Sequence, residues 1–286
     1  MNQKHAMINR VVSAVEVGPC GLIELFCFSN LAFLTIDIYF AHSINAFAMS
    51  TEWIPFYFSI VGSVALIVSM IKGKLEPNEK WSKVLGLIVG WGAVITGVLG
   101  MIYHLESRFF KEYTLASLVY AAPFAAPLSY TGIGLLLIMN RTVKYGTRNW
   151  WQWVIVLGLG GFAGNFVLSV LDHAQNGFYE WTEWIPVIAS AVAVGVLIPL
   201  IWERVTKAFL LVVVWVMVTQ MLVGGLGFYF HGIADLQGSS ESMWENLVFG
   251  APIFAPLLFA NIALLVLIGL WGGYIWMMTQ ENESDH

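Results

Sequence analysis

The sequence predicts an all-α integral membrane protein of eight transmembrane helices, built as a duplicated four-helix unit in a parallel repeat. Three observations lead there. The 286-residue chain is 58% apolar and only 11% charged, and its mean hydropathy is +0.75, whereas a soluble globule needs roughly a quarter charged residues to cover its surface. Its 13 basic and 18 acidic residues gather in short polar islands between long apolar runs. A fourteen-residue window in the first half also recurs at identical spacing in the second.

A bilayer core about 30 Å thick needs about 20 apolar residues per helix, and each predicted span has its own signals. The first, 22–43, begins at Leu22 and is long enough to cross; the twenty residues before it lack a small-residue cleavage pattern, so it reads as a retained helix after a segment 1–21. The second, 54–72, starts at Thr51-Glu52-Trp53-Ile54-Pro55, with Thr51 placed as N-cap and a proline tolerated in the first turn. The third, 84–105, follows Lys80 and Lys83 and ends on His104. The fourth, 114–139, carries Pro123 and Pro127, which kink it, and completes a first repeat over 22–140. A basic linker, 141–151, leads to the fifth span, 152–173, which ends on His173. The sixth, 184–202, opens with Thr182-Glu183-Trp184-Ile185-Pro186, the seventh, 208–231, ends on His231, and the eighth, 247–277, carries Pro252 and Pro256. The second repeat is thus 152–277, followed by a tail, 278–286.

Eight is even, so both termini share a side. Lys4, Arg10, Lys72, Lys74, Lys80, Lys83, Arg141, Lys144, Arg148, Arg204 and Lys207 fall on that side, and only Arg108 and Lys111 on the other. Basic residues near span ends stay in the cytoplasm. Both termini are therefore expected to be cytoplasmic, in a plasma or bacterial inner membrane. A formal charge of −5 offers no basic surface for nucleic acid, and two cysteines make no disulfide framework. Trp53, Trp81, Trp150, Trp151, Trp153, Trp184, Trp202 and Trp244 sit at span ends, where an aromatic belt anchors depth. Glu24 is read as interfacial near the cytoplasmic edge, and Cys20 and Cys27 as apolar fillers.

The recurring window runs from His42 to Pro55 and from His173 to Pro186, with eight of fourteen positions identical, including Asn45 and Asn176. A looser match pairs His104 and Leu118–Leu128 with His231 and Leu247–Leu257. Four helices per unit let both halves enter the membrane in the same direction, related by an axis along its normal. Each odd span then ends outward in a histidine.

His42, His104, His173 and His231 are the candidate cofactor-binding residues, because four imidazoles in register at one membrane edge suit metal ligation better than four unrelated caps. Gly97 and Gly100 lie seven and four residues before His104, and Gly224 and Gly227 likewise before His231, so each histidine stands above a glycine face. A flat macrocycle fits such a face, and so does close helix packing. The natural pairs across the repeat axis are His104 with His231 and His42 with His173. Glu52 and Glu183 add carboxylates, giving a mixed set that suits zinc, iron or copper, with Asn45 and Asn176 behind them; a glutamate stabilised by a helix N-terminus is the plainer reading. Asp37 and Asp172 are candidate hydrogen-bond partners of an imidazole, while Glu106 and Asp235 are weaker candidates. Gly86-x-x-x-Gly90 and Gly160-x-x-x-Gly164 read as packing motifs.

The residues therefore point first to a membrane redox protein holding haem or a transition metal near the outer face, an electron-transfer subunit between quinol and an external carrier. A transporter for a metal ion or small solute, with a pseudo-two-fold His/Glu site and moving proline-broken helices, is the alternative. A structural or assembly subunit with partner subunits is a third. P-loop, HExxH and catalytic serine or cysteine motifs are absent from the sequence, as is a lysine in mid-span.

Overall fold

In a computed structural model, residues 18–73, 79–202 and 206–284 are described. Most of them are helical, and there is no strand among them. Lys4, His5, Arg10, Lys74, Arg204 and His286, and with them most of the segment 1–21, lie outside the described residues.

Helix α1 (Pro19–Ser43) leads through a one-turn 3-10 helix (Ser50–Glu52) into α2 (Trp53–Gly73), and α3 (Lys80–Ser107) follows. Two short helices, α4 (Phe109–Glu112) and α5 (Leu115–Val119), precede α6 (Leu128–Thr142). The second half repeats the order with α7 (Arg148–Ala174), a 3-10 turn (Trp181–Glu183), α8 (Trp184–Trp202), α9 (Lys207–Leu236), a short α10 (Met243–Phe249) and α11 (Leu257–Ser284). Seven of these are long and apolar enough to cross a membrane: α1, α2, α3, α7, α8, α9 and α11. The expected fourth span is divided. Proline lacks an N–H and its ring clashes with the preceding turn, so the Pro123–Pro127 stretch is not a kink but a gap between α5 and the 15-residue α6. Pro252 and Pro256 open the same gap between α10 and α11.

Helices α1, α2, α3 and α6 pack into one four-helix group and α7, α8, α9 and α11 into another. The groups meet along α6 with α7 and α1 with α11. Many large apolar side chains face outward, Ile71 at 72% and Leu222 at 69% among them, which is the pattern expected of a surface solvated by lipid rather than water. Inside, Leu31, Leu66, Phe162 and Val266 are fully buried.

Close approach of α3 to α6 rests on glycine. A Cβ at Gly90 would lie 3.1 Å from the Gly134 carbonyl, and one at Gly97 only 2.8 Å from the Pro127 carbonyl. The glycine faces below His104 and His231 are therefore not bare: Pro127 lies on Gly97 and Gly100, and Pro256 on Gly224 and Gly227. The second expected packing motif is not one, since a Cβ added at Gly160 or Gly164 would meet no atom of another helix within 4 Å. Gly97→Val is expected to cost about 1–3 kcal/mol by overpacking and Gly160→Val under about 0.5 kcal/mol, a contrast that thermal unfolding in detergent measures directly.

At the end opposite the histidines, Glu24 is buried, not interfacial. Its carboxylate accepts from Arg141 Nη2 and from Asn140 Nδ2, both at 2.5 Å. Arg141 Nη1 donates to Ser82 Oγ at 2.6 Å, and Cys20 Sγ donates to Asn140 Oδ1. Gly86 leaves room for the guanidinium, since a Cβ there would lie 2.6 Å from its central carbon. Trp150 and Trp151 also leave the aromatic belt for the interior, and Trp150 Nε1 donates to Asn140 Oδ1 at 3.0 Å. Trp81 and Trp202, at 64% and 70% exposure, keep to the rim.

Candidate functional site

The four histidines lie at the ends of α1, α3, α7 and α9, half-buried. All four belong to one end of the bundle, where Phe40 of α1 meets Trp244 of α10 across the two groups, ring centres 5.2 Å apart. Their pairing differs from the one expected across the repeat axis. His42 faces His104 with ring centres 6.3 Å apart and planes at 77°, and His173 and His231 line one cavity. The cause is the packing, which places α1 and α3 in one group and α7 and α9 in the other.

The proline gaps hold one histidine of each pair. His104 Nδ1 donates to the Pro123 carbonyl at 3.1 Å, and His231 Nδ1 to the Pro252 carbonyl at 3.0 Å. A gap in a helix frees carbonyls that need partners; here the imidazole supplies one. Neighbouring groups fix the gaps from the same helix ends. Ser107 Oγ accepts from Ala122 N at 3.3 Å, and Asp235 Oδ1 accepts from Ala251 N at 2.8 Å. Asp235 thus supports the gap, while Glu106 is exposed.

The other histidine of each pair sits beside a rigid loop. Glu52 and Glu183 lie in 3-10 turns, and Thr51 and Thr182 fall inside those turns instead of capping a helix. Glu52 Oε1 accepts from Asn45 Nδ2 at 2.7 Å and Glu183 Oε1 from Asn176 Nδ2 at 2.8 Å. The loops return on themselves through Phe47 N to His42 O (3.1 Å) and Phe178 N to His173 O (3.0 Å). That requires left-handed backbone at Ala46, Phe47 and Phe178, with φ of 55°, 52° and 54°, which costs about 1–2 kcal/mol per non-glycine residue. Phe47 stacks on Trp53 at 4.0 Å and Phe178 on Trp184 at 4.1 Å, which offsets it. Each loop therefore presents a fixed carboxylate beside its histidine, and Glu183 Oε2 stands 3.9 Å from His173 Nδ1.

In the second group the pair borders a cavity of about 500 Å³ that runs between α7, α8, α9 and the Pro252–Pro256 gap. Asp172, His173, Glu180, Glu183 and His231 line it near the end of the bundle, and Asn165 and Ser169 line it further along α7. Asp37 and Asp172 make no hydrogen bond to an imidazole among the described residues. Nor do three or more His, Cys, Asp or Glu side chains among them converge as a ready metal site. What the sequence missed is the histidine–proline contact and the pairing. Both depend on which helices become neighbours, and only the shared spacing of histidine and proline pairs hinted at the first.

No protein-family model matches the chain, and no solved structure matches it.

Proposed function

We propose that this is an integral membrane redox protein whose His42–His104 pair holds haem or a redox-active transition metal, copper or iron; zinc, which imidazole also serves, has no redox chemistry and would suit the site only outside electron transfer. The observation that carries this reading is the 6.3 Å separation of the two ring centres. An imidazole nitrogen sits about 2 Å from a metal, so two rings on opposite sides of one ion have centres about 6 Å apart. The His104 bond to Pro123 adds the usual support: a ligand histidine commonly donates its other N–H to a carbonyl, which fixes its tautomer and raises its basicity. Glu52, held by Asn45, stands ready to neutralise charge beside His42. His173 and His231 form the corresponding pair in the second group.

The finer architecture belongs to the same proposal. Eight membrane passages, counting α5 and α6 as the two parts of one, make a duplicated four-helix unit with both termini cytoplasmic and the histidines at the outer face. This suits an electron-transfer subunit of the plasma or bacterial inner membrane, working between quinol and an external carrier and docked to partner subunits. Purified protein should give a reduced-minus-oxidised absorption change, or a bound transition metal at close to one per chain. A featureless spectrum together with less than about a tenth of a metal per chain overturns it.

The two proline gaps favour a second reading, transport of a metal ion or small solute, because broken helices line substrate sites in transporters. It predicts substrate-dependent flux in proteoliposomes. Retention of a bound centre with no flux for any solute tested decides against it.

A further inference from the structure

The cavity of the second group carries polar residues that the paired histidines do not account for. Stepping the matched windows along the helices, Asn165, Asp172 and Glu180 correspond to Leu34, Ala41 and Met49 in the first half. These three changes from apolar to polar all line the one cavity. A repeat that needed only a histidine pair and an Asn–Glu clasp has no use for them.

Their chemistry has a direction. Asp172, Glu180 and Glu183 supply three carboxylates, and the lining contains no lysine or arginine. Two groups make no hydrogen bond: Glu183 Oε2, whose nearest basic group is His173 Nδ1 at 3.9 Å, and Asn165 Nδ2, which donates none although Asn165 is only 4% exposed. A buried polar group without a hydrogen bond is costly, so a guest that satisfies it is held the more tightly. Among the described residues no three of the His, Cys, Asp and Glu side chains come together as a metal site, which suits an organic guest better than a bare ion. Phe230 and Phe259 line the same cavity, supplying apolar and π surface for the body of such a guest and for its charge.

We propose that the second-half cavity binds a small organic cation, a protonated amine with an apolar body, its N–H groups donating to Asp172 and Glu183 and an acceptor atom, where present, reaching Asn165. This goes beyond the redox reading, which rests on His42 and His104 in the other helix group.

The test uses the full-length protein in lipid nanodiscs, titrated with benzylammonium and followed by calorimetry, with benzyl alcohol and benzoate as neutral and anionic probes of similar shape. Benzylammonium is expected to bind saturably and the other two at least about tenfold more weakly, the weight of one charge-assisted hydrogen bond. Asp172→Asn should weaken benzylammonium by about tenfold or more, and His104→Ala should leave it unchanged. Because Asp172→Asn sits in a helix, Glu180→Gln at the exposed mouth provides a second variant that leaves the interior intact, and it too should weaken binding. Absence of saturable benzylammonium binding, equal binding of benzoate, or binding indifferent to both variants overturns the proposal. Loss of binding in His104→Ala protein that still elutes as a single folded species overturns it as well. Metal content and absorption are read on the same samples, so failure of the redox reading shows separately.

Discussion

Replacing His104 with alanine is expected to remove the centre proposed at His42 and His104, whereas replacing His231 should leave it in place. The asymmetry follows from the pairing within helix groups. His104 shares its place with His42 at 6.3 Å, so its loss halves the ligand set of that centre and leaves the Pro123 carbonyl without its imidazole donor. Disturbing even a supporting contact of a metal ligand typically costs 10–100-fold in affinity, and removal of the ligand itself should cost at least about that much. His231→Ala touches the other group only. Metal per chain and the reduced-minus-oxidised spectrum, measured on both variants at equal purity, decide the matter. Equal loss in the two variants would restore the pairing across the repeat axis, and loss in neither would remove histidine from the site.

The second large effect lies at the other end of the bundle. Arg141→Met leaves the Glu24 carboxylate buried with its strongest partner gone, and breaking a buried pair from one side costs about 3–5 kcal/mol. Glu24→Ala should be similarly damaging, since it strands the guanidinium that Gly86 makes room for. The second half shows that the fold does not need the charges: the positions corresponding to Glu24 and Arg141 are Ile155 and Leu270, both buried. Buried pairs replaced together by apolar residues are often neutral or stabilising. Glu24→Ile combined with Arg141→Leu is therefore expected to recover about half or more of the loss, the remainder being the cost of leaving Asn140 and Ser82 short of partners. Melting temperature in detergent, followed by size-exclusion after heating, measures all three. A double variant no better than the worse single one would show that the pair, and not its individual members, is required.

Much of the fold was readable because bilayer thickness dictates helix length. The stretches 54–72 and 152–173 appear as Trp53–Gly73 and Arg148–Ala174, off by a few residues where polar caps extend the helix past its apolar core. The gaps at Pro123–Pro127 and Pro252–Pro256 hid inside continuous apolar runs, since alanine, phenylalanine and leucine keep hydropathy high whether or not the backbone is helical. Glu24 and Arg141 are 117 residues apart in the chain, and each is near enough to a span end to pass for interfacial. Trp150 misled for the same reason: a tryptophan at a helix end suits both the headgroup layer and a buried hydrogen bond to Asn140. Of the site, the residue types and their register were legible from the repeat. The partners were not, because pairing depends on helix neighbours that periodicity does not specify.

The contact between each histidine and its proline carbonyl also limits how many ions either ring could hold. A carbonyl oxygen accepts and cannot donate, so Nδ1 of His104 and of His231 must carry the hydrogen and the ring's one available lone pair is at Nε2. An imidazole tied in this way serves a single electron-pair acceptor. Imidazolate bridges, in which one deprotonated ring joins two ions, are closed to both residues, and a centre held by either of them is mononuclear with respect to that ring.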